Sequence, residues 1–257
     1  MTIKSIRINV SDISRSVEFY TRYLRAEVVG EPTEDSAVLD LVTATIDLRR
    51  VQDVQISTWE SDDLQKGFRH IGFKVARVDP LVHELKAAGV PFHLDPLNAE
   101  GGVRITFFFD PDGTLLEFVE GDLQYHSITN ERGVAAERAL GVPERPRFDH
   151  VAVTVDDFAA TRRFYGPFGF EHIGTINQPN DPRGFSINYL KDGDTVLEVF
   201  TYDSATRGRK PQLDAAGFAT AGLTATGAVQ HGGQVNKPGD GSPVYADVDG
   251  FVYSVVG

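Results

Sequence analysis

An α+β fold of four βαβββ modules is what this 257-residue sequence predicts, and three observations carry the prediction. A segment reading VSDISRSVEFY at Val10 to Tyr20 returns as VDDFAATRRFY at Val155 to Tyr165, each with an Asp seven residues before a Phe-Tyr pair. Upstream of both copies, apolar residues alternate: Ile6, Ile8 and Val10 in one, Val151, Val153 and Val155 in the other. That is the period of a strand with one buried face. Lastly, an Asp-Pro-Asp-Gly turn at Asp110 to Gly113 joins two apolar runs, and Asp247-Val248-Asp249-Gly250 answers it near the end of the chain.

The elements follow in order. Module one spans about residues 1–52, with Asp12 at its helix entry, where a carboxylate accepts from orphan backbone N–H groups and suits the positive end of the helix dipole. Asp157 does the same in module three, residues 147–204. The Phe-Tyr pairs read as helix-on-sheet packing. Module two, residues 66–122, opens on a strand from His70 to Val75 and passes through Asp79 and Pro80 into a helix closed by Gly89, with Pro at the first helical position. Its run Phe107-Phe108-Phe109 reads as strand core rather than a stacking platform for substrate. Module four, residues 215–257, is degenerate: GFATAGLTAT serves as a strand, GAVQHGGQV is too short and glycine-rich for a full helix, and VYADVDGFVYSVV repeats the final hairpin. The stretch 126–146 reads as a linker with a short helix between a domain at 1–125 and another at 147–257.

Composition bounds the function. A hydrophobic content of 41% permits one large core or two ordinary ones. No apolar run approaches the roughly 18 residues of a membrane span, and MTIKSIRINV lacks the apolar core of a signal peptide, so a cytoplasmic protein is expected. Without cysteine there are no disulfides, thiolate ligands or thiol nucleophiles. A net charge of −12 repels phosphate backbones and anionic membrane surfaces. The expected partner is a small-molecule substrate, with no nucleic acid and no membrane, and with a homodimer left open. No G-x-S-x-G elbow, P-loop or Rossmann fingerprint supports serine, phosphoryl-transfer or dinucleotide chemistry.

Two histidines and two glutamates stand out. Val151, Val153 and Val155 take one strand face, leaving His150 with Ala152 and Thr154 on the other, and Glu198 alternates in phase with Val196 and Phe200. His70 after Phe68 and Glu117 between Leu115 and Val119 repeat the arrangement, the two His-to-Glu separations being 47 and 48 residues. A carboxylate among apolar side chains is costly unless paired or metal-bound. Two imidazoles and two carboxylates suit a divalent Zn, Ni, Co, Mn or Fe(II) ion without choosing among them.

Strand, helix and three strands, repeated with HVAVTVDD…RRFY and DPDGTLLEF, resemble the vicinal oxygen chelate superfamily of glyoxalase I, extradiol dioxygenases and bleomycin-resistance proteins over nearly the whole chain. The resemblance implies two glyoxalase/bleomycin-resistance/dioxygenase-type domains, with metal ligands at the start of each module's first strand and the middle of its last. Those positions hold Ser5, His70, His150 and Thr220, then Asp47, Glu117, Glu198 and Ser254. Modules two and three thus keep a full set, His70, Glu117, His150 and Glu198, which one cleft gathers if module two pairs with module three. Pairing one with two leaves Asp47, His70 and Glu117 as the reserve site. The implied activity is that of a metal-dependent glyoxalase-like lyase or isomerase, or an epimerase, acting on vicinal oxygens through an enediolate-type intermediate with Glu117 and Glu198 as catalytic bases. The alternatives are an extradiol-type ring-cleaving dioxygenase, against which Thr220 and Ser254 speak, and a small-molecule binding protein of the bleomycin-resistance kind. His83, His93, His172 and His231 are expected at the surface, and Tyr125 and His126 at a cleft mouth.

Overall fold

The computed structural model describes residues 3–52, 62–225, 229–236 and 241–257. Module one runs β1 (Ile3–Val10), α1 (Ile13–Tyr23), β2 (Glu27–Val29), β3 (Ser36–Asp40) and β4 (Thr45–Arg50). Module two runs β5 (Gly67–Lys74), α2 (Val78–Ala87), β6 (Phe92–Asn98), β7 (Arg104–Phe109) and β8 (Leu115–Glu120). The linker carries β9 (Ser127–Ile128) and α3 (Glu131–Ala139). Module three runs β10 (Arg147–Thr154), α4 (Phe158–Tyr165), β11 (Glu171–Gln178), β12 (Phe185–Asp192) and β13 (Thr195–Tyr202). In module four, β14 (Gly217–Thr224), β15 (Gly233–Gln234), β16 (Val244–Ala246) and β17 (Val252–Val256) are described. The segment read as too short for a helix lies partly outside the described residues, and its described end is β15. No helix among the described residues is long and apolar enough to cross a membrane.

Two sheets form, and each takes a module from either half of the chain. One has eight strands in the order β15-β16-β17-β14-β1-β4-β3-β2, modules four and one; the other has nine in the order β6-β7-β8-β5-β10-β13-β12-β11-β9, modules two and three with a strand of the linker. The seams are antiparallel pairs of first strands, β1 with β14 and β5 with β10. The division near 126–146 is therefore a feature of the sequence repeat, and both sheets run across it. One core joins the inner faces of both sheets to the helices, with Ile6, Ile8, Ile71, Phe73, Phe118, Val151 and Val153 all essentially buried. A second cluster, including Ala152, Ile187, Tyr189, Val196 and Phe200, lies on the opposite face of the nine-stranded sheet.

Local signals explain most helix ends. Asp12 accepts from the Arg15 N–H and Asp157 from the Ala160 N–H, capping α1 and α4. Helix α2 departs from expectation: it starts at Val78, so Pro80 is not its first residue. Its leading N–H is taken instead by the Glu120 carboxylate from the neighbouring strand, at 2.7 Å, a long-range cap that no local pattern announces.

The two repeated motifs meet in space. Tyr20 Oη of α1 donates to Asp110 Oδ2 at 2.9 Å, while Asp110 Oδ1 accepts from the Asp112 and Thr114 N–H groups. The same device recurs where Tyr165 Oη of α4 donates to Asp247 Oδ2 at 2.8 Å and Asp247 Oδ1 accepts from Asp249 and Phe251. Gly113 and Gly250 close these turns at φ of +88° and +85°, the left-handed region that suits glycine. Each bond ties a helix on one sheet to a hairpin of the other. The Phe-Tyr pairs thus pack as expected and also lock the two sheets together.

Replacing Tyr20 or Tyr165 by Phe strands a buried carboxylate oxygen and should cost about 1–3 kcal/mol in a denaturant titration. Burial pushes both Asp110 and Asp247 up from 3.8 to about 6, against the hydrogen bonds that favour their ionised forms. For an acid whose folded value is raised, the stabilising contribution is complete below the unfolded value and is lost as pH rises through the folded one. Between pH 4 and 7, the stability of the wild type relative to an Asp110→Asn variant should therefore fall, by up to about 3 kcal/mol. A difference independent of pH across that window would contradict the account.

Candidate metal centre

Strand register builds the site. Across the β5/β10 seam His70 stands opposite Ala152 and His150 opposite Gly72. On the outer sides, Gly72 is in register with Glu117 of β8 and Ala152 with Glu198 of β13. The arrangement has approximate twofold symmetry: each histidine crosses the seam over a small residue that adjoins a glutamate. The closeness is tight at Gly72, where a Cβ would lie 2.0–2.5 Å from three atoms of the His150 ring.

All four side chains meet. His70 Nε2 and His150 Nε2 are 3.1 Å apart. Glu117 Oε2 lies 3.2 Å from His70 Nε2 and 3.0 Å from His150 Nε2, and Glu198 Oε2 lies 3.3 Å from each. One donor atom from each residue falls within 4.8 Å of the others, and all four residues are buried. Such spacings are those of donors arranged about 2 Å from a shared divalent centre. Among the described residues no lysine or arginine forms an ion pair with either glutamate, so two buried carboxylates share two imidazoles and no permanent cation. That donor set can hold a metal ion.

The electrostatics follow from this crowding. Burial opposes ionisation of Glu117, but His70 and His150 outweigh it and hold the carboxyl at about 2. Burial likewise disfavours a charged His150, and Glu198, Asp149 and Glu117 together push it well above the usual imidazole range. Asp149 Oδ2 lies 3.0 Å from His150 Nδ1, fixing the ring so that Nε2 faces the centre. Its counterpart is missing: His70 Nδ1 has no hydrogen-bond partner among the described residues.

The centre forms part of the wall of a cavity of about 350 Å³. Phe107 is the cross-strand neighbour of Glu117 and Tyr189 that of Glu198. Burial and the nearby Glu198 push the Tyr189 phenol well up, keeping it protonated. The phenylalanine run is split by the strand's period: Phe108 is fully buried in the core, as expected, whereas Phe107 faces the cavity with its ring 4.9 Å from that of His70. The expectation that the whole run is core is corrected for Phe107.

The reserve site of Asp47, His70 and Glu117 does not form. Asp47 belongs to the eight-stranded sheet, where Arg49 at 3.0 Å and Arg7 at 3.6 Å neutralise it. In that sheet Thr220 and Ser254 line a separate cleft with Arg7 and Arg49, and Ser5 Oγ would lie 2.3 Å from a Cβ on Gly222, much as His150 sits over Gly72. Of the other expected positions, His83 and His231 are exposed, and His172 is half-buried with Nε2 3.0 Å from Gly174 O. His93 is exposed and also reaches the cavity mouth. Exposed His126 accepts from the Asn177 N–H, whereas Tyr125 packs on Tyr189 and donates to Glu137 at 2.7 Å.

Sequence reasoning missed Gly72 and Asp149. A signal for the first existed, since His70-Ile-Gly72 and His150-Val-Ala152 both carry a small residue two positions after the histidine. Asp149 directly precedes His150, where strand alternation alone would send the two side chains to opposite faces, and a register shift lies between Phe148 and His150.

Comparison with known proteins agrees with this architecture. The family model described as Glyoxalase/Bleomycin resistance protein/Dioxygenase superfamily matches residues 2–118 and 147–240. An uncharacterized protein of Bacillus subtilis (strain 168), YwkD, is 34% identical over 128 residues, 46% of this chain and 96% of that protein. Among solved structures, the V278E mutant of glyoxalase I from Zea mays is similar with a TM-score of 0.70 at 18% identity, covering 99% of this chain and 92% of that one. Glyoxalase I from the same plant without that substitution gives a TM-score of 0.66 at 17% identity over the same shares. At these identities the likeness is one of fold, and it extends over all four modules. Matched in both halves, with two sheets each built on a seam of first strands, the chain belongs to the Glyoxalase/Bleomycin resistance protein/Dioxygenase superfamily.

Proposed function

We propose that this protein is a metal-dependent lyase or isomerase of the glyoxalase type, or an epimerase, that moves a proton between neighbouring carbons of a small substrate bearing vicinal oxygens. One observation carries the reading: two imidazoles and two carboxylates, related by approximate twofold symmetry, converge at the wall of a cavity, and among the described residues no lysine or arginine pairs with either glutamate. A divalent ion held by His70, Glu117, His150 and Glu198 supplies Lewis-acid polarisation of a substrate carbonyl.

The chain's own residues supply the rest. Glu117 and Glu198 flank the centre from opposite sides, one on β8 and one on β13. A carboxylate on one flank can take the proton from the carbon bearing an oxygen, and either flank can return it to the adjacent carbon or to the opposite face. Return to the adjacent carbon gives isomerisation, and return to the opposite face gives epimerisation. Tyr189, neutral beside Glu198, can donate toward charge developing on a substrate oxygen. A dioxygenase site asks for two imidazoles and one carboxylate, and leaves the second glutamate without a role.

Two tests follow. Protein purified without chelator or affinity nickel should hold about one transition metal per chain, and Gly72→Ala should lose most of it while staying folded, because the added methyl displaces the His150 ring. Full metal content in Gly72→Ala would show that His150 is not a ligand. The second test reads proton transfer directly: a panel of α-hydroxy ketones and hemithioacetals is incubated in D2O and C–H exchange is followed by NMR. His70→Ala and His150→Ala should weaken metal binding and be partly rescued by excess metal. Glu117→Gln or Glu198→Gln should keep the metal yet slow exchange by roughly 10² or more. Near-normal exchange in both Gln variants would rule out either glutamate as the base.

A further inference from the structure

We infer that the non-reacting part of the substrate is a single uncharged aromatic ring, and that the cavity rejects polyanionic thiol conjugates such as those of glutathione; this rests on the functional reading above. The volume, about 350 Å³, is near the lower end of the roughly 300–1,000 Å³ typical of small-molecule sites. Ile105 and Phe107 on β7 and Phe185, Ile187 and Tyr189 on β12 alternate toward the cavity, and Phe200 on β13 closes it. These two strands lie just outside the strands bearing the ligand glutamates. A molecule chelated at the centre therefore projects its remaining atoms between two apolar walls. Aromatic side chains on both walls favour a ring, in offset or edge contact.

Charge decides against an anionic tail. Besides the two ligand glutamates, the wall carries Asp62, Asp63, Glu100, Glu137 and Asp149, against Arg69 and Lys74 as its cations. Both cations are engaged through their terminal nitrogens, with Arg69 Nε left without a hydrogen-bond partner among the described residues. The terminal nitrogens of Arg69 donate to Asp63, Thr154 and the Tyr202 hydroxyl, and its guanidinium lies 4.0 Å over the Phe200 ring. Lys74 donates to the Gly121 carbonyl, with Asp122 at 3.7 Å. Arg183, at the same end, is tied to Asp63 at 2.6 Å and Asp181 at 2.7 Å. Residues 53–61, outside the described set, contain no lysine or arginine. A tripeptide with two carboxylates would thus meet more carboxylates than unengaged cations, and its desolvation would go uncompensated.

Hydroxamates test this because they present two neighbouring oxygens to a metal on a tail of choice. Binding of acetohydroxamate, phenylacetohydroxamate and S-(N-hydroxy-N-methylcarbamoyl)glutathione to the metal-loaded full chain is measured by calorimetry. The phenyl compound should bind roughly 10- to 100-fold tighter than the acetyl one, the gain expected from burying a ring. The glutathione compound should bind no tighter than acetohydroxamate. In Phe107→Ala the ratio of phenyl to acetyl affinity should fall to near one, and Phe185→Ala provides the same readout on the opposite wall should the first variant fold poorly. Equal affinity for the phenyl and acetyl compounds, or tighter binding of the glutathione compound, overturns the inference and leaves the metal-dependent reading standing. Absence of binding by all three to metal-loaded protein overturns that reading, and this inference with it.

Discussion

Four buried ionisable side chains in the middle of a nine-stranded sheet impose the constraint on which the geometry of the centre depends. Carboxylates at that depth are tolerated only where opposite charge reaches them, and here it comes from imidazoles across the β5/β10 seam and from any cation they jointly hold. This fixes the register of the seam. A slip of one residue would turn His70 and His150 to the opposite face of the sheet, away from both glutamates. The constraint is met only where module two pairs with module three, since only β5 and β10 carry histidines at the first-strand positions. The crossed pairing of modules then demands a linker long enough to return the chain, and β9 and α3 occupy that route, β9 on the edge of the same sheet.

Much of this was legible in the sequence, for reasons that can be stated. Strand period and helix caps are local, so Ile6, Ile8 and Val10, or Asp12 and Asp157, declare their roles without a partner. Repetition made the four converging residues legible, because His70 and Glu117 match His150 and Glu198 in spacing. What stayed hidden depends on register between strands far apart in sequence. Gly72 matters because it lies opposite His150, 78 residues on. Phe107 was misread because a run of three aromatics conceals which member faces the core, and the answer lies in its pairing with Glu117. The start of α2 is set by Glu120, 42 residues beyond Val78.

The approximate twofold symmetry is most informative where it fails. His150 has Asp149 behind its Nδ1, whereas His70 has no such partner among the described residues, so the two imidazoles differ in how firmly they are oriented. Glu117 faces Phe107 across the strand pair, whereas Glu198 faces Tyr189, a neutral hydroxyl in place of a bare ring. The two flanks thus carry the same carboxylate beside different neighbours. A site built from two copies of one module is thereby able to treat the two ends of a substrate unequally.

The eight-stranded sheet shows what the same scaffold becomes once that constraint is lifted. Its seam, β1 with β14, is kept, and so is the lock in which Tyr165 bonds Asp247, but the ligand positions hold Ser5, Thr220, Ser254 and an Asp47 neutralised by Arg7 and Arg49. Packing therefore does not need the charged quartet. A hydroxyl at a first-strand position meets its own hydrogen-bonding needs without a metal, and an aspartate flanked by arginines carries no unpaired buried charge. Since the fold is stable with such replacements in one sheet, the costlier His and Glu set in the other is not explained by folding. The two sheets of a single chain supply the comparison: one keeps the seam with neutral or paired residues at these positions, the other carries a charged quartet for which packing gives no reason.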